Sequence, residues 1–219
     1  MRTVTVKGTG KLEFKPDLVT LGIMLRAKHQ QYDETMALAE RQLEALRAAL
    51  ERAGFARDDL KTADLRIEPE YRSEHDDKGN YRQIFVGYIC LHSLNLAFDL
   101  EMDRLSAALS AMAESTSEPE FSVQFTVRDE EAAAAALLEN AVRNAREKAE
   151  LLCRASGVAL GGVQSIQYHW DGHSFVSDTR CEMANGALPM LAASKRAAMD
   201  IAPEKIRVSD TVTIIWEIC

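Results

Sequence analysis

The chain lacks an apolar run approaching the roughly 20 residues that span a bilayer as a helix, so no transmembrane segment is expected. It lacks Lys/Arg runs as well. With 26 basic and 34 acidic side chains the formal charge is -8 and the isoelectric point is near 5.2. Nucleic acid and anionic membrane surfaces both reward positive charge, so neither is expected as a partner. Cysteine is sparse, and Cys90, Cys153, Cys181 and Cys219 form no CxxC pair. That scatter fits reduced structural thiols. No leader is expected in the sequence as given, because Met1-Arg2-Thr3 runs straight into Val4-Thr5-Val6, which reads as a strand. A cytoplasmic location is expected of the chain as it stands, and a periplasmic one if it is a processed mature form.

Catalytic motifs are also missing. There is no GxSxG, Walker loop or HExxH. Gly8-x-Gly10 lacks the third glycine of a dinucleotide loop and opens no helix, so it reads as a bulge in a strand. Asp99-x-Glu101-x-Asp103 resembles the start of a calcium loop but lacks the glycine at its sixth position. A helix capped by Asp99 is expected there instead. His92 falls on the apolar face of a strand, where a satisfied core histidine is the expectation. His169-Trp170-Asp171-Gly172-His173 is the one cluster with ligating chemistry. His169 and His173 are its metal-ligand candidates, yet a metal site needs three or four converging ligands. No catalytic residue, cofactor or metal is therefore expected, and the chain reads as a non-enzyme.

What is present is amphipathic periodicity. Residues 3–14, 19–25 and 121–127 alternate apolar and polar residues, as half-buried strands do. Tyr32, Met36, Ala39, Leu43, Leu46, Leu50 and Ala53 give a helix stripe closed by Gly54. Leu65 to Tyr71 and Val86 to Phe98 form a hairpin around the turn cluster at 75–80, and Pro69 marks an edge strand. A short helix places Leu105, Ala108, Leu109 and Met112 inward. The longest helix starts at an Asp129 cap with Glu130 and Glu131 in its first turn. It runs about 27 residues, roughly 40 Å, to Gly157. Its stripe is Ala134, Leu138, Ala141, Ala145, Ala149 and Leu152, small enough to lie close against a sheet. Val163 to Trp170 and Ile206 to Ile218 are strands, with a loop-rich stretch at 171–203 that holds a short helix over Met190–Met199.

The order is ββαββαβαββ, containing a ferredoxin-like βαββαβ unit over residues 17–128. An α+β fold follows, with a mostly antiparallel sheet carrying three main helices on one face. No linker divides the chain, so a single domain over 1–219 is expected.

Several features line up in order: Gly8-x-Gly10 then Pro16-Asp17; Gly54-Phe55 then Asp59-Leu60-x-Thr62; Ile67-x-Pro69-x-Tyr71 then Gly87-Tyr88. Ala141-x-x-x-Ala145-Arg146-x-Lys148-Ala149 leads to Gly157-Val158-x-Leu160-Gly161, and Pro203 precedes the last strand. In that order and spacing the chain resembles the SIMPL domain family. The resemblance implies a sheet-and-helix fold, no established catalytic residues, and a tendency to homo-oligomers. By the same resemblance, many bacterial relatives are envelope or periplasmic proteins linked to stress, and animal relatives bind a kinase in inflammatory signalling. The chain departs from the family in lacking an export signal and in carrying Glu114-Ser115 after the middle helix. The expected function is a self-associating binding or assembly protein, with further copies or another protein as partner. The alternative is a small-molecule or metal-binding enzyme using the histidines near 169–173.

Overall fold

Strict alternation at both ends of the chain lets the two ends pair. In the computed structural model, which describes residues 2–75, 81–169, 172–179, 181–183 and 201–219, β1 (Thr3–Phe14) runs antiparallel to β8 (Ile206–Ile218). The register is unbroken from Thr3 opposite Glu217 to Phe14 opposite Ile206. The bulge expected at Gly8 and Gly10 is therefore absent. The glycines have another cause. A Cβ on Gly8 would lie 2.2 Å from Ala141 O, and one on Gly10 2.3 Å from Leu137 O. The backbone of α3 (Glu130–Ser156) packs directly on the backbone of β1 at these two positions.

β6 (Leu160–Gln167) completes a three-stranded sheet in the order β1-β8-β6. On it, Ala141, Ala145 and Ala149 of α3 cluster with Val6, Val212, Ile214 and Trp216. The helix begins as expected, with the Asp129 carboxylate accepting from Ala132 N at 2.8 Å. It ends at Gly157, whose φ is 69°, with Val158 N donating to Cys153 O. The buried stripe differs from expectation at both ends. Leu137 and Cys153 are buried, whereas Leu152 is half exposed. Leu137, Ala141, Ala145, Ala149 and Cys153 form a strict i+4 row. Such a row inclines to the helix axis, so it is the row a sheet meets when it crosses the helix at an angle.

The other strands form a second sheet, in the order β3-β4-β2-β5-β7. They are β2 (Leu18–His29), β3 (Leu60–His75), β4 (Tyr81–Asp99), β5 (Glu120–Thr126) and the short β7 (Cys181–Met183), which the sequence pattern did not mark. Here α1 (Tyr32–Arg52) lies between β2 and β3 in the chain, and α2 (Met102–Glu114) between β4 and β5. Leu46, Leu50, Leu105 and Met112 from the helices bury against Leu21, Ile23, Leu25, Leu94, Leu96 and Phe125 from the strands. Each such side chain contributes about 1.5–3 kcal/mol by leaving water. Asp99 ends β4 and does not cap α2; Glu101 holds the cap position without a side-chain bond. Residues 76–80 and the helix expected over Met190–Met199 lie outside the described residues.

The fold is thus α+β, but the single sheet expected from the sequence is two sheets. The chain clusters into two compact units. One comprises Met1–Asp17, Thr126–Asp178 and Pro203–Cys219; the other comprises Leu18–Phe125 and Thr179–Ala202.

Candidate functional site

Among the described residues, two places carry chemistry beyond packing. The first is on β8. Ile206, Val212, Ile214 and Trp216 place its even-numbered face inward, and by the same parity Asp210 is buried there. Gly10 stands opposite in the ladder and leaves it room. The Tyr168 hydroxyl donates to Asp210 Oδ2 at 2.9 Å, and His173 Nε2 lies 3.1 Å from the same oxygen. Asp210 Oδ1 accepts from Thr211 N at 2.6 Å. Desolvating a carboxylate is costly unless partners surround it, and the Tyr168 hydroxyl and Thr211 N supply Asp210 with hydrogen bonds. An imidazole against a carboxylate is also the arrangement that orients a ring for proton transfer.

His173 and Phe175 face each other edge to face at 6.2 Å. With Glu130, Glu131, Ala134, Ala135 and Leu138 they line a cleft of about 480 Å³. His169, paired with His173 by the sequence pattern, is exposed, and Trp170 and Asp171 lie outside the described residues. Among the described residues no group of three His, Cys, Asp or Glu side chains is arranged to hold a metal. His92 belongs to the other unit. It is buried on β4, 3.0 Å from Thr62 Oγ1. Burial, and then the charge of Arg47, holds its imidazole below the ordinary range. Asp99, Glu101 and Asp103 sit at a strand end, a cap and a helix turn, with no loop to wrap an ion.

Asp210 was the residue missed. Its signal was present: one polar side chain on the inward parity of an otherwise apolar strand. Tyr168 and His173 could not be joined to it from sequence, because 42 and 37 positions separate them.

The second place is the sheet rims. At β1 the rim is covered. Asn144 Oδ1 accepts from Thr9 N at 3.0 Å, Asn140 Oδ1 accepts from Lys11 N at 3.1 Å, and Lys148 Nζ donates to Lys7 O at 3.1 Å. Four helical residues rise about 6 Å and two strand residues about 6.7 Å, so the i+4 row on α3 matches alternate residues of β1. The long C-terminal strand is flanked by β1 and β6. β3 is the edge strand that Pro69 indicated. Pairing of β2 with β4 stops at His29 and Tyr88, while β3 and β4 continue to His75 and Tyr81 as an arm. Along it run four rings in edge-to-face contact. Tyr71 meets Phe85 at 5.8 Å, Phe85 meets Tyr88 at 5.3 Å, and Tyr88 meets Tyr32 of α1 at 5.6 Å. Tyr71, Phe85 and Tyr32 are 54%, 44% and 48% exposed. Ion pairs of both signs flank them: Lys28–Glu70, Arg66–Asp64 and Arg72–Glu74.

A family model described as SIMPL, protein of unknown function (DUF541), matches residues 4–216. The chain is 24% identical over 215 residues to the uncharacterized protein YggE of Edwardsiella ictaluri, covering 98% of this chain and 86% of that one. It is 24% identical over 166 residues to YggE of Escherichia coli strain K12, covering 76% of this chain and 65% of that one. Among solved structures, the regulatory subunit of aspartate kinase from Thermus flavus aligns at 12% identity over 97% of this chain and 89% of that one. Its TM-score is 0.18, which carries no argument.

Proposed function

The chain belongs to the SIMPL family, and we propose that it is a non-enzymatic binding and assembly protein whose copies associate through the β3–β4 arm. The observation that carries this reading is the four-ring ladder that runs along the β3–β4 arm to Tyr32 of α1, with three of its rings exposed. Aromatic side chains give the largest contact area for the least ordering cost, and they dominate the centres of protein interfaces. The rim around them holds both charge signs, so it suits a second copy of the same surface. Among the described residues β3 lies at one edge of its sheet, and an edge strand is the natural template for strand pairing.

Light scattering at micromolar concentration tests the reading. The expected result is a mass above that of one 24.3 kDa chain, collapsing to one chain in Tyr71→Lys/Phe85→Lys. Val163→Lys/Ile166→Lys on β6 should leave the mass unchanged. A monomer mass for the unaltered chain, or an oligomer indifferent to the arm variant, refutes it.

A further inference from the structure

The cleft beside His173 is not used by the arm, and its lining has a chemistry of its own. Its floor is apolar: Ala134, Ala135 and Leu138. One wall is aromatic, Phe175 buried and His173 edge to face with it. Its rim carries the carboxylates of Glu130 and Glu131. Both glutamates are exposed, and among the described residues neither makes an ion pair. His173 Nε2 lies 3.1 Å from Asp210 Oδ2.

From this combination we infer that the cleft binds a small organic ammonium ion with an apolar body, an arylalkylamine being the fitting shape. The volume, about 480 Å³, is within the range of small-molecule sites. The two carboxylates supply acceptors and negative charge at the mouth. The floor takes the ammonium ion's hydrocarbon part. A carboxylate ligand of the same shape meets repulsion at the rim, and a neutral one forgoes the attraction. Helix-dipole stabilisation explains acidic residues in a first turn; it does not explain an apolar, aromatic-walled cleft directly beside them.

Calorimetry on the full chain with 2-phenylethylamine, 2-phenylethanol and phenylacetate tests this. The amine should bind saturably and more weakly as salt rises. The alcohol should bind about tenfold more weakly, and phenylacetate more weakly still. Glu130→Gln and Glu131→Gln should each weaken the amine about threefold, leaving the alcohol unchanged. Ala135→Phe, which fills the cleft from an exposed position, should abolish binding without lowering the melting temperature. Equal affinity for the three probes, amine affinity unchanged in both glutamine variants, binding that survives Ala135→Phe, or no saturable amine binding overturns the inference. The same titration on a chain made monomeric at the arm should give the unaltered affinity, which separates this site from the assembly surface.

Discussion

Replacing Gly8 with alanine is the sharpest test of how α3 sits on β1. In an open strand, alanine in place of glycine stabilises by about 0.4–1 kcal/mol, because the unfolded chain loses freedom. At Gly8 the new Cβ would stand 2.2 Å from Ala141 O, 2.6 Å from Ala145 Cβ and 2.7 Å from Ala145 N. Carbon and oxygen need over 3 Å, so helix and strand must separate by about 1 Å. That separation loosens the contacts of Ala141, Ala145 and Ala149 with Val6, Val212 and Ile214, since dispersion falls steeply with such a gap. Overpacking of this kind costs about 1–3 kcal/mol. Two backbones with no rotamer to yield place Gly8→Ala at the upper end. Less the entropic gain, the net loss is about 2 kcal/mol. For a chain of this size that lowers the melting temperature by about 4–8 °C, with a matching fall in the urea midpoint. Gly162→Ala is the control: nothing lies within 4 Å of its Cβ, so it should be neutral or slightly stabilising. Ala145→Gly in the Gly8→Ala background should restore part of the loss, because the 2.2 Å approach to a backbone oxygen persists. A Gly8→Ala chain as stable as the Gly162→Ala control refutes the reasoning.

Other perturbations probe the remaining structure. Asn144→Ala removes the acceptor of Thr9 N. It should cost about 1 kcal/mol and, by baring the β1 rim, speed aggregation in a turbidity assay; unchanged turbidity and melting count against the cover. Asp210→Ala removes the buried acceptor of the Tyr168 hydroxyl and of Thr211 N, and a loss of about 1–3 kcal/mol in urea unfolding is expected, with Asp210→Asn milder. The folded state holds His92 below 6.5, so it resists a proton that the unfolded chain takes up. The stability from this group is therefore present above about pH 6.5 and falls as acid is added. Urea midpoints across pH 5–8 should flatten in His92→Gln, and an unchanged slope sinks the assignment.

Periodicity determined much of this protein. Alternation marked seven of the eight described strands, a stripe marked each of the three described helices, and Asp129 and Gly157 bounded α3 as caps do, because these are signals written within a few residues. Pro69 indicated an edge, since a missing donor is tolerated there. The sequence could not determine which strand pairs with which. Alternation is the same whether a strand joins one sheet or another, so one sheet was expected where two exist. Gly8 and Gly10 read as a bulge because a glycine's cause lies in what approaches it, here a helix more than 120 residues away. Asp210 was visible as a polar break in an apolar face. Its meeting with Tyr168 and His173 belongs to the tertiary structure, because a buried carboxylate takes its partners from whatever the ladder and the connections bring within 3 Å. The covered rim of β1 and the open arm of β3 were decided at that same level. Backbone groups at a strand's edge are identical in every sequence, and only packing determines which of them meet a helix and which meet water.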